Sequence, residues 1–227
     1  TRTAQAIARH VEAAITGDAR TVVFVTGIPG AGKTLCGLNA VFGPALRDRA
    51  AFLTGNVPLV AMLREALARD AVARGDCDRR EADRRVHERL QNVHRFLEYY
   101  ATDPIQLPPE RLVVFDEAQR AWNEAKSRTG TQNRRSRLTM SEPAHTLEIM
   151  GRRPGWAVVV ALIGNGQEIN TGEAGLREWG EAAPRGALPR VRDRAAGTVN
   201  TNLPRTSITL QGNDRIEPSE TWTFSCA

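Results

Sequence analysis

Cysteine is scarce. Cys36, Cys77 and Cys226 are scattered over 227 residues, too few for a disulfide framework and wrongly spaced for a zinc site, so a reducing, cytoplasmic setting is the expectation. Long apolar runs are missing as well: none approaches about 18 residues, and the mean hydropathy is -0.38. That excludes a membrane span and leaves membranes out of the partner set. Residues 1–20 carry Glu12 and Asp18 and no apolar core, so they do not read as a secretory signal. Lysine is nearly absent: of 31 basic residues only Lys33 and Lys126 are lysine. A bias this deep is most simply compositional, so the net charge of +5 admits a nucleic-acid partner without requiring one. His10, His87, His94 and His145 have no metal-ligand spacing with the cysteines, and no Gly-x-Ser-x-Gly elbow occurs. The opening residue is Thr1 and not Met, which suggests processing or a piece of a longer chain.

What remains is 41% apolar and 25% charged, enough for a sizeable core and too little net charge for wholesale disorder. Ala4, Ile7, Ala8, Val11 and Ile15 recur at helical spacing and predict an amphipathic helix ending near Gly17. Thr21 to Thr26, Leu112 to Phe115 and Val158 to Ile163 are apolar runs without polar alternation, as in strands buried on both faces. Ala51 to Thr54 is a further short strand, and a helix follows the Gly-rich turn from Lys33 to about Phe42. Pro58 opens another helix, with Leu59, Met62, Leu63, Ala66 and Leu67 on one face. Val86, Leu90, Val93, Leu97 and Tyr100 step by three and four and predict one continuous helix, with His87 and His94 on its surface. Strands alternating with helices imply an α/β fold, a parallel sheet with helices on both faces. Ser207 to Leu210 and Thr221 to Phe224 suggest a small added C-terminal β hairpin.

The strongest chemical signal is Gly27-Ile28-Pro29-Gly30-Ala31-Gly32-Lys33-Thr34, followed by Leu35. It has P-loop spacing between an apolar strand and a helix. Glycines let backbone N–H groups close around phosphate oxygens, and the helix N-terminus adds its positive dipole end. Lys33 supplies a point charge between the β- and γ-phosphates, and the Thr34 hydroxyl ligates Mg²⁺. The nucleotide-binding set is therefore Gly27, Pro29, Gly30, Ala31, Gly32, Lys33, Thr34 and Leu35. The second signal is Asp116-Glu117 at the end of Leu112 to Phe115. Asp116 would hold Mg²⁺ through water, and Glu117 would orient and deprotonate the attacking water. The third is Gly164-Asn165-Gly166-Gln167, a turn after an apolar strand whose Gln167 would sense the γ-phosphate or the water. No Asn/Thr-Lys-x-Asp element for reading guanine is present, since Lys126 sits in Ala125-Lys126-Ser127-Arg128, so ATP is the expected nucleotide. Lys126, Arg128, Arg134, Arg135 and Arg137 form a stretch with no acid between Glu124 and Glu142, a candidate nucleic-acid contact or a solvated loop. A second cluster, Arg185 to Arg194, is diluted by Asp193.

These motifs, with Leu53-Thr54-Gly55-Asn56 and Pro58-Leu59-Val60, the block Phe115-Asp116-Glu117-Ala118-Gln119-Arg120-Ala121-Trp122, Ser141-Glu142-Pro143 and the run Gly164 to Leu176, occur in order over residues 20 to 180. The chain resembles the bacterial Schlafen-group-3-like DNA/RNA helicase domain proteins, whose parent class is the superfamily 1 helicase-like ATPases. The resemblance implies a RecA-like P-loop domain over 1–183 and an extension, 184–227, that begins a following region. It implies that Gln167 couples the γ-phosphate to the nucleic-acid site and that Thr54 and Asn56 lie near the motif that touches a single strand of DNA or RNA. Such motors take an arginine finger from a second RecA-like domain or subunit, for which the tail after Gln167 is too short. Two readings follow: the ATPase domain of a nucleic-acid-stimulated motor, or a nucleotide-dependent switch or assembly ATPase that unwinds nothing. A small-molecule kinase fits less well, because Asp116, Glu117 and Gln167 are water-activating groups.

Overall fold

Six strands form one sheet in which every recorded pairing is parallel: β1 (Arg20–Gly27), β2 (Ala50–Thr54), β3 (Leu90–Asn92), β4 (Leu112–Phe115), β5 (Ala157–Gly164) and β6 (Thr206–Gln211). Their spatial order is β3-β2-β4-β5-β1-β6. The computed structural model describes residues 2–43, 49–130, 136–164, 175–182 and 206–211. Because all strands run the same way, Gly27, Thr54, Asn92, Phe115 and Gly164 end along one carboxyl edge.

Side chains alternate between two cores, which is why the strands read as unbroken apolar runs. Val23, Val25, Phe52, Val114, Val160 and Leu162 face helices α1 (Arg2–Thr16), α2 (Lys33–Phe42), α3 (Val57–Ala73) and α4 (Arg79–Arg89). Phe24, Leu53, Phe115, Val159 and Ala161 face α5 (Val93–Thr102), α7 (Glu142–Gly151) and α8 (Gly175–Ala182), while the short α6 (Glu124–Thr129) lies between β4 and α7 in the chain. This is the expected α/β, RecA-like arrangement, helices on both faces of a parallel sheet. Helix α2 lies unusually close to the sheet. A Cβ on Gly37 would sit 2.8 Å from Val114 Cγ1 and 2.9 Å from Leu162 Cδ1.

Four expectations change. The stripe Val86 to Tyr100 is buried throughout, but it is not one helix: α4 ends at Arg89, Leu90–Asn92 pairs with β2, and α5 begins anew. Asn92 produces the restart, its side chain accepting from Arg95 N at 3.3 Å as the cap of α5. On α3 the buried residues are Val60 and Ala68, with Leu63 and Leu67 packed beside them, while Met62 is 63% exposed. On α1 the buried set is Ala6, Ile7, Val11 and Ala14, so Ile15 turns outward. Finally, Thr206–Gln211 extends the main sheet alongside β1; its expected hairpin partner, 221–224, lies outside the described residues. The extension after residue 183 thus contributes an edge strand to the same sheet. Among the described residues, no helix is long and apolar enough to cross a membrane.

Candidate active site

The turn after β1 is built for close approach. Gly30 and Gly32 take φ of +77° and +81°, which β-carbon-bearing residues rarely adopt, and Gly32 caps the N-terminus of α2. A Cβ at either position would meet nothing within 4 Å, so both glycines border open space. Ala31 N donates to Ile28 O at 3.2 Å and closes the turn; Pro29 lies within it, while Leu35 is exposed on the first turn of α2. Lys33 Nζ donates to the carbonyls of Gly27 (2.7 Å) and Ile28 (2.9 Å). Burial pushes the Lys33 pKa down, and the nearby Asp116 and Glu117 charges oppose that shift.

Although β5 separates β1 from β4 in the sheet, Thr34 Oγ1 donates to Asp116 Oδ1 at 3.3 Å. Asp116 is 5% exposed and its N–H donates to Leu53 O at 2.8 Å. Burial, and next the charge of Glu117, push its pKa up to about 6. Glu117 sits in the left-handed region at φ +50°, a conformation that costs about 1 kcal/mol or more in a non-glycine residue and marks a constrained position. Its Oε2 lies 3.1 Å from Arg120 Nη1. This donor set fits Mg²⁺: a hydroxyl and a carboxylate on adjacent sides of one space, with the remaining positions suited to water and phosphate oxygens. Among the described residues no group of three or more His, Cys, Asp and Glu could hold a metal ion unaided.

Other predicted residues are dispersed. Thr54 is buried, its hydroxyl accepting from Asn56 N at 3.3 Å, and the Asn56 side chain caps α3 by accepting from Leu59 N at 3.1 Å. Arg137 donates to Thr102 Oγ1 at 3.1 Å in a separate groove with Arg95 and Gln106. Gln167, Arg134, Arg135 and the Arg185 to Arg194 cluster lie outside the described residues.

Four features escaped the sequence reading. Gln119 is buried between the acid pair and the third motif, its Oε1 accepting from Gly164 N at 2.9 Å. Trp179 donates from Nε1 to Ala118 O at 2.9 Å and packs edge-on against Phe24 and Phe115. A cleft of about 780 Å³ opens beside Asp116 and Glu117, lined also by Asn56, His94, Trp122 and Lys126. On its wall the His94 ring lies 4.0 Å from that of Trp122, with the Lys126 ammonium 5.3 Å from the Trp122 centroid. His94 is therefore not a plain surface residue: its Nδ1 is 2.6 Å from Oε1 of the buried Glu142, whose Oε2 accepts from Trp122 N at 2.8 Å. The only local signals were the tryptophan that ends the acid-pair block and the Ser-Glu-Pro start of α7.

A family model described as Schlafen group 3, DNA/RNA helicase domain, matches residues 20–216, and the chain belongs to that family. Among solved structures the chain is similar to the Pyrococcus furiosus Hef helicase domain, at 17% identity and a TM-score of 0.41. That match covers 78% of this chain and 35% of the other, so this chain spans about a third of that protein's length. No curated protein matches the sequence.

Proposed function

From membership of a DNA/RNA helicase domain family, we propose that the chain binds Mg-ATP at Gly27 to Leu35 and hydrolyses it in a reaction that a single strand of DNA or RNA stimulates, as the first motor domain of a superfamily 1-like ATPase. The observation that carries this reading is the meeting of Thr34 and Asp116 at 3.3 Å, with Lys33 and Glu117 close by. A bound Mg²⁺ would neutralise charge on the phosphate oxygens.

The chain's own groups divide the work. The open, positive-φ glycines leave backbone N–H groups and the α2 N-terminus facing the phosphates. Lys33 exchanges its two carbonyl partners for β- and γ-phosphate oxygens, and its proximity to the acid pair keeps it charged. Thr34 and Asp116, which meet at 3.3 Å, are the residues that would hold the ion. Glu117, which follows Asp116 directly in the chain, takes the proton of the attacking water. Gln119, bonded to Gly164, ties the acid-pair strand to the turn in which Gln167 would respond to the γ-phosphate. An arginine finger from a second domain or subunit would add about 10³ to 10⁵ in rate. Asn56, held by Thr54, together with Arg134, Arg135 and Arg137, would form part of the strand contact.

Steady-state ATP hydrolysis with and without an oligodeoxythymidine tests the reading. Glu117→Gln should retain Mg-ATP binding and lose about 10² to 10⁴ in rate. An unchanged rate would remove Glu117 as the base, and hydrolysis indifferent to the strand would favour a switch or assembly ATPase.

A further inference from the structure

The amino edge of the sheet, opposite the P-loop, carries a row of arginines. Arg20 opens β1, Arg49 precedes β2 and Arg111 precedes β4, while Arg153 lies in the turn between α7 and β5. Register sets the first three in line. Arg20 pairs with Ala157, Leu112 with Val158 and Ala50 with Leu112, and Arg111 N donates to Arg49 O at 2.7 Å. Arg49, Arg111, Ala157 and Arg20 therefore lie side by side on four adjacent strands and on one face of the pleat. At about 4.8 Å between strands the row is about 14 Å long.

The backbone holds these guanidiniums in place without discharging them. Arg111 Nη1 donates to the carbonyls of Pro154 (2.8 Å) and Trp156 (2.9 Å), and Arg20 Nη2 donates to Arg153 O at 3.3 Å. Among the described residues none of the four arginines forms an ion pair, and Nε of Arg111 and of Arg153 is buried without a hydrogen-bond partner. Burial lowers the Arg111 pKa, and the charges of Arg153, Arg49 and Arg20 lower it further against the opposing charge of Asp18. The other carboxyl nearby, Glu110, is 9% exposed and has its own pKa pushed up by burial, so it supplies little counter-charge. Like charges gathered with so few acids among them draw an anion from solution.

The ATP phosphates are not that anion, because β1 carries the chain about 23 Å from Arg20 to Gly27 at the opposite edge. A straight row, unlike a pocket, fits a chain of charges. Trp156, half-buried with its ring centroid 5.9 Å from the Arg111 guanidinium, sets an aromatic ring beside it. For a member of a DNA/RNA helicase domain family, the linear polyanion that meets such a row is a nucleic-acid backbone.

We propose that Arg49, Arg111, Arg153 and Arg20 seat the phosphodiester backbone of a DNA or RNA strand at the edge of the sheet opposite the nucleotide site. The proposal rests on the nucleic-acid part of the function above and adds a contact set separate from Asn56 and Arg137.

The test is binding of a fluorescent oligodeoxythymidine to the 227-residue chain by anisotropy, over about 0.05 to 0.2 M salt, for wild type, Arg49→Gln, Arg49→Lys and the double variant Arg49→Gln with Arg153→Gln. Arg49 is exposed, so its variants should fold normally, which circular dichroism verifies. On a single strand each phosphate contact contributes about 0.7 to the slope of log K against log salt. Arg49→Gln should therefore lower that slope by about 0.7 and weaken binding about 5-fold at about 0.1 M salt, and the double variant by about 1.4 and about 25-fold. Arg49→Lys should keep the wild-type slope, since the slope counts charges. Wild-type binding with slopes unchanged in both Gln variants would overturn the row alone. Displacement of the oligonucleotide by polyglutamate at equal charge concentration would overturn the nucleic acid as its occupant. No binding by the wild type even at about 0.05 M salt would defeat the nucleic-acid reading beneath it.

Discussion

Replacing Asp116 with asparagine takes a charge out of a site that is 5% exposed and faces a second carboxylate. The native pKa of about 6, raised from 3.8 by burial and by Glu117, means that ionising Asp116 costs the folded state free energy. The direction follows from linkage. A carboxyl whose folded pKa is raised contributes full stability below its unfolded pKa and loses it as pH climbs through the folded one. Between about 4 and 6 the wild type therefore gives up about 2 pKa units, or about 3 kcal/mol at 1.36 kcal/mol per unit. Asp116→Asn does not give this up. At about pH 7.5 the variant should be the more stable by up to about 3 kcal/mol, an advantage that shrinks to about 1 kcal/mol near pH 4.5. For a chain of this size that is about 6 to 12 °C in Tm at neutral pH. Paired thermal unfolding curves by circular dichroism at the two pH values, without nucleotide or metal, measure it. A variant less stable than wild type at neutral pH, or an advantage independent of pH, would refute the reasoning. Mg²⁺-dependent ATP binding should weaken in the same variant, the signature of a carboxylate kept for an ion at the expense of the fold.

Gly37→Ala places a Cβ 2.8 to 3.0 Å from Val114, Leu162 and Phe52, and overpacking of about 1 to 3 kcal/mol should outweigh the alanine's better helix propensity of up to about 1. Its Tm should fall, and a rise would show that α2 has room to move. Asn92→Ala removes the cap that restarts the chain as α5 after β3, at a cost of about 1 kcal/mol by chemical denaturation. No change in midpoint would mean that packing of Val93, Phe96 and Leu97 alone sets the break.

The elements easiest to read were those carrying two signals at once. β1 and α2 flank a glycine turn whose spacing demands a strand before it and a helix after, and β4 ends in an acid pair that an apolar run of four delivers to the sheet edge. Reading failed where one local pattern serves two structures. The three-and-four spacing from Val86 to Tyr100 buries the same side chains whether or not a three-residue strand interrupts it, and only the capping of Asn92 decides. Amphipathic stripes on α1 and α3 were recognised but rotated, because composition alone does not say which edge of a stripe meets the sheet; Met62 and Ile15 therefore point outward. The partner of β6 carried no local mark, since parallel pairing with β1 joins residues far apart in sequence. The same holds within the site. Thr34 meets Asp116 across 82 positions and was legible because both belong to known motifs. His94 meets Glu142 across 48 positions with no motif to announce it. The left-handed backbone at Glu117 has no residue signature at all, glutamate being an ordinary helix former.

Nucleotide binding is the claim on which everything else stands, and Lys33 tests it most directly. Its ammonium is half-buried beside Asp116 and Glu117, held by two carbonyls in a turn of otherwise uncharged residues. Titration of Mg-ATP into the 227-residue chain by calorimetry, for wild type and Lys33→Ala, with circular dichroism to verify that both are folded, gives the answer. Wild type should bind, and Lys33→Ala should bind more weakly by about 2 to 5 kcal/mol, about 30-fold or more in Kd. A folded Lys33→Ala chain that binds Mg-ATP as tightly as wild type would contradict the account.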